Sequence, residues 1–166
     1  MLLTGPAAGQ SLPPALAGAH PELFESGAGP FRILGFHICD ARLWVSPQRL
    51  DPDSVFVLGL RYARRVRGAT LAKRTLGEME RLGLASEQQI ERWGPSLRSM
   101  FQDVSSGDEM HGLNLAGRGV AFFINGERVG AIPDPAFAQA FFGIWFDQRT
   151  RAQDLRPALL GLGESR

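Results

Sequence analysis

A chain of 166 residues, 44% apolar and 21% charged, is long enough to bury one substantial core and too ordinary in make-up to be fibrous or disordered. Its formal charge of +1 argues against a dedicated nucleic-acid or anionic-membrane binder. Cys39 is the only cysteine, which excludes intrachain disulfides and cysteine-based zinc sites, and His20, His37 and His111 show no ligand spacing, so neither metal nor cofactor is expected.

No apolar run reaches the roughly 18 residues of a membrane-spanning helix. Residues 1–30 are rich in Ala, Gly and Pro and read as a flexible leader ahead of an ordered domain over residues 31–163. Ala15-Leu16-Ala17 and Ala17-Gly18-Ala19 carry the small residues at alternate positions that signal peptidase favours. No Lys or Arg precedes Arg32, however, and Pro13–Pro14 interrupts the hydrophobic segment. Two readings stay open: a disordered tail, or the remnant of an export signal whose start lies upstream.

The run Arg32 to Val45 alternates as one long strand, with His37, Cys39, Ala41, Leu43 and Val45 toward a core. Asp40 and Arg42 fall on the other face as an exposed ion pair. A loop with Pro47 and Pro52 ends the strand, and Val55 to Ala63 makes the next, its exit made basic by Arg61, Arg64, Arg65 and Arg67. That cluster is either a solvated surface or a site for phosphate or carboxylate. A helix over Thr70 to Leu82 follows. Ser86-Glu87-Gln88-Gln89 is a capping box for another, which buries Ile90, Trp93, Leu97, Met100 and Phe101. Asp108 to Ala116 reads as a further strand.

Asn125–Gly126 between the apolar run Val120–Ile124 and the return Glu127–Ile132 is a hairpin signal, because both turn residues tolerate positive φ. Asp134 and Pro135 then open a helix whose aromatic residues leave it little solvent-facing surface. This hairpin and helix form the core unit. Asp154 caps a last short helix with Pro157 in its first turn. The order predicts an α+β domain, a largely antiparallel sheet with helices on one face. Nucleophile elbows, metal-binding helix motifs and close carboxylate pairs are all missing from the sequence.

Three pieces together resemble the chalcone isomerase-like family: Gly27-Ala28-Gly29-Pro30-Phe31-Arg32 leading into FHICDARLWV, LGLRYARRVRG running into a helix, and NGERVGAIPDPAFAQAFFGIWFDQRT followed by LRPALLG. The likeness spans roughly Phe24 to Leu162 and is greatest to the bacterial branch, usually exported proteins with no assigned reaction. It implies an open-faced β-sandwich, a large antiparallel sheet with helices layered on it. It also implies one of two activities, closing a chalcone to a flavanone or binding a fatty acid without catalysis.

The family's enzymes place an arginine after a glycine-rich turn, matched here by Arg32, and a threonine further along, where this chain has Cys39. Their Tyr-x-x-Lys-x-x-x-Asn is matched by Thr70 through Gly77, with only Lys73 kept. Ring closure needs a donor or positive charge for the developing enolate oxygen. A thiol is a weaker donor than a hydroxyl, and Thr70 is shorter than a phenol. The resemblance therefore implies a binding protein for a fatty acid or another small amphipathic carboxylate, held between sheet and helices by Arg32. Lys73, Tyr62, Cys39 and Thr70 are the other ligand-site candidates. The alternatives are an isomerase or intramolecular lyase on another substrate, and a structural or interaction protein whose cleft is filled by Phe and Trp. Export to the periplasm or beyond is the localisation expected, with the cytoplasm as the alternative, and nothing in the sequence specifies an oligomeric state.

Overall fold

Alternation along each strand decides which side of the sheet becomes the core. In the computed structural model, which describes residues 11–162, six strands form one antiparallel sheet in chain order: β1 (Phe24–Ile33), β2 (Phe36–Val45), β3 (Val55–Tyr62), β4 (Glu109–Leu115), β5 (Val120–Ile124) and β6 (Glu127–Ile132). Cys39, Ala41, Leu43, Leu58, Leu60, Tyr62, Met110 and Phe122 face inward and are buried in the main cluster. Over them lie α2 (Gly68–Arg81), α3 (Glu87–Met100), α4 (Pro135–Phe146) and α5 (Leu155–Leu159). Each large side chain so buried contributes about 1.5–3 kcal/mol of transfer free energy.

The core unit forms as its residues dictate. Asn125 and Gly126 sit at φ 50° and 86°, the left-handed pair of a two-residue hairpin. One carboxylate oxygen of Asp134 accepts the Ala136 N–H at 2.9 Å, and the other accepts the Trp93 indole N–H at 3.0 Å. The cap of α4 thus also ties it to α3. Ser86 and Gln89 close the expected capping box at the start of α3.

Four expectations need correction. The stretch Arg32 to Val45 is not one strand but a hairpin, turning at Leu34 and Gly35 with φ 52° and 85°. A leucine in the left-handed region is uncommon, which is why the sequence concealed the turn. Second, order does not begin at Phe31: α1 (Pro14–Ala19) and β1 fill residues read as leader. The glycines of β1 serve close packing, since a Cβ on Gly27 would run into the Ala158 carbonyl of α5. Residues 1–10 of that leader lie outside the described residues. Third, the expected layer of helices on one face is present as α2 to α5, but the stretch read as leader adds a short helix on the other face. Leu16 of α1 is buried on the outer face against Trp44, Val57, Leu113, Ala121 and Phe123, a second hydrophobic cluster. Finally, Asp154 stands at the start of α5 but its side chain makes no capping bond.

Candidate functional site

The main cleft opens between the sheet and the helices at the end where β2 and β3 leave the core. It encloses about 1160 Å³, enough for a sizeable small molecule. Cys39, Leu60, Tyr62 and Met110 form its floor, Thr70 and Leu71 of α2 and Phe141, Ile144 and Trp145 of α4 its walls. Ile33, Leu34 and Phe36 of the first hairpin make one lip. The cleft is therefore open, not filled by its aromatic side chains. Two other aromatic residues of α4 are absorbed elsewhere, Phe137 against Trp93 and Phe122, Phe142 against Phe56.

The rim is strongly one-signed. Arg64, Arg65, Arg67, Arg74, Arg81 and Arg151 line it against a single acid, Glu78. Arg81 and Arg151 both bond Glu78, at 2.9 and 2.6 Å. Burial works to raise that carboxyl, but the bonds from the two arginines outweigh it and hold Glu78 below the ordinary carboxylate range. Arg64, Arg65, Arg67 and Arg74 form no ion pair among the described residues. Arg67 also occupies the N-cap position of α2, whose first turn carries no acid and no side-chain cap of its own. Asp103 accepts the Gly68 N–H there at 2.8 Å.

Inside, the polar groups are few and neutral. Tyr62 is 5% exposed, and burial, with a further contribution from Cys39, raises its phenol well above the ordinary range. Its hydroxyl stays protonated and has no hydrogen-bond partner among the described residues. Burial, aided by the charge of Asp40, pushes the Cys39 thiol up to about 12, so it supplies no thiolate nucleophile at neutral pH. Trp145 is 9% exposed and its indole N–H is unpartnered. A buried donor left unmade costs stability.

Of the residues expected at the site, Tyr62, Cys39 and Thr70 line the cleft, and Arg32 and Lys73 do not. Phe31 and Ile33 take the cleft-facing positions of β1, so Arg32 between them borders a separate hollow of about 200 Å³ beside Arg151 and Asp154. On α2, Arg67, Thr70, Leu71 and Arg74 form the stripe that meets the cleft. Lys73, one residue or about 100° from Arg74, is exposed off that stripe. The paired surface partners also differ from expectation: Arg42 bonds Glu25 across to β1 at 2.7 Å, and His37 bonds Asp40 at 2.8 Å. Three of the arginines that ring the cleft, Arg64, Arg65 and Arg67, were visible as a basic strand exit. What the sequence lacked was the fold of α2 back over it.

An antiparallel sheet with helices layered over an open, apolar, arginine-rimmed cleft defines an open-faced α+β protein. Residues 57–161 match the chalcone isomerase-like family, and the chain belongs to it. Its fold is similar to that of a fatty-acid binding protein from Arabidopsis thaliana, with a TM-score of 0.69 at 11% sequence identity, over 84% of this chain and 87% of that one. At that identity the likeness is one of fold. No curated protein matches the chain by sequence.

Proposed function

We propose that the protein binds a fatty acid or another small amphipathic carboxylate, without catalysis. One observation carries this: an apolar cleft of about 1160 Å³ is bordered by four arginines that have no acidic partner among the described residues. A hydrocarbon tail gains the transfer free energy of leaving water, and a carboxylate gains charge-assisted bonds at the rim. Tyr62, which lines the cleft, carries a neutral hydroxyl donor with no partner among the described residues. The similarly folded plant protein is a fatty-acid binder by its description, which supports the reading.

An intramolecular lyase is the weaker reading. Cys39 stands where the family's enzymes carry a threonine hydroxyl, and Lys73 faces away from the cleft. The test is native mass spectrometry of purified protein with organic extraction, joined to calorimetric titration of a fatty-acid series. A co-purifying carboxylate and saturable binding are expected. Turnover of chalcones with no fatty-acid binding would overturn the proposal.

A further inference from the structure

The lip of the cleft contains choices that folding alone does not favour. The β1–β2 turn places Leu34 and Gly35 in the left-handed region, the same pair of conformations that β5–β6 adopts with Asn125 and Gly126. Asn suits that conformation, whereas a leucine there is strained. Leu34 nevertheless stands 93% exposed at the tip, and Phe36, two residues on, is 58% exposed. The Arg64 guanidinium lies 5.2 Å from the centre of the Phe36 ring. Arg65 and Arg67 continue the same rim. The formal charge of +1, which by itself argues against an anionic surface as partner, conceals this local excess.

We propose that the lip is a membrane-docking surface for an anionic bilayer. Leu34 and Phe36 enter the boundary between headgroups and acyl chains, while Arg64, Arg65 and Arg67 meet lipid phosphates. A bilayer fits better than a protein partner. Two apolar side chains fall far short of the roughly 800 Å² per partner of a stable protein interface, but with adjacent cations they make an interfacial anchor. The mouth of the cleft then opens onto lipid, so that an amphipathic ligand passes between membrane and cleft without crossing water. That last step rests on the binding function proposed above; the docking does not.

The experiment is flotation of the full chain with phosphatidylcholine vesicles, with and without phosphatidylglycerol. Binding is expected only with the anionic lipid and should weaken as salt is raised. Arg64→Gln and Arg65→Gln should each lower partitioning about fivefold, and Leu34→Asn with Phe36→Thr about tenfold or more. Leu34→Asn suits the turn, so its fold should be kept, as circular dichroism would verify. No binding to anionic vesicles, or binding untouched by the Leu34/Phe36 substitutions, overturns the docking. Wild type is also titrated with decanoate in vesicle-free buffer. Decanoate binding without vesicle binding sinks the docking alone; vesicle binding without decanoate binding sinks only the cleft function.

Discussion

The imidazole of His111 packs 5.8 Å from the Trp44 ring on the outer face of the sheet, fully buried, with neither ring nitrogen hydrogen-bonded. Burial lowers its pKa from 6.5 to about 4, so it is neutral in the folded protein. An unfolded chain binds this proton near pH 6.5 and the folded one only near 4. Between those values the unfolded state holds more protons, so stability falls as pH falls.

That difference is worth on the order of 3 kcal/mol at its limit. Thermal melts should show the loss beginning below about pH 6.5 and levelling off near 4. Carboxylates such as Glu78, held low in the fold, add their own loss at lower pH. His111→Leu isolates the histidine: it should flatten the pH 4–6.5 window, and at pH 7 it should stabilise by about 1 kcal/mol through removing unsatisfied polar atoms. An unchanged pH slope in that variant would show that the ring is protonated or solvated in the fold.

α1 is predicted to hold the outer face closed. Leu16 is 2% exposed against Trp44, Val57 and Phe123. Leu16→Ala should cost about 2–3 kcal/mol in urea melts, and removal of residues 1–19 should cost more while exposing enough apolar surface to bind a hydrophobic dye. Cleavage at the Ala17-Gly18-Ala19 site would have this effect. A truncated chain as stable as the full one would mean α1 is dispensable, and would leave export with cleavage compatible with the fold.

Much of this architecture was legible because it rests on local chemistry. The Asn125–Gly126 turn, the Asp134 cap and the Ser86–Gln89 box each lie within a few residues of what they organise. The first hairpin was not, since Leu34 gives no turn signal and Arg32 to Val45 alternates well enough for a single strand. Arg32 was placed in the cleft by the family resemblance alone; Phe31 and Ile33 on either side of it take the cleft face, and its own hollow is set by α5, more than a hundred residues away. The leader was misread for a related reason. A glycine-rich strand resembles a linker until the helix that lies on it is known.

Trp145 separates packing from ligand contact. It meets Phe31 edge-on at 5.3 Å and lines the cleft, with its indole N–H unpartnered. Trp145→Ala should destabilise by about 3–5 kcal/mol. Trp145→Phe keeps most of the ring surface and loses an unsatisfied donor, so it should cost about 1 kcal/mol or less. If the donor bonds a ligand, the Phe variant should lose fatty-acid affinity severalfold while melting nearly as wild type does. Equal affinity would remove the indole from the site.

The rim arginines carry the sharpest contrast. Arg67 and Arg74 face the cleft from one stripe of α2, while Lys73 lies between them in sequence and faces elsewhere. Arg32 borders its own hollow beside Asp154. Partly exposed guanidinium–carboxylate pairs are worth about 1 kcal/mol each, more where water is excluded. Arg67→Gln and Arg74→Gln should therefore each weaken decanoate binding about fivefold, and the double variant about twentyfold or more, measured by calorimetry at low salt. Lys73→Gln and Arg32→Gln carry the same change in charge and the same screening, so they control for a general field. They should alter affinity less than about twofold, because neither lines the cleft and each can offer a ligand there only screened attraction. Were Arg32→Gln the damaging substitution and Arg74→Gln silent, the ligand would sit in the smaller hollow under α5, and the arginine rim would belong to the membrane surface alone.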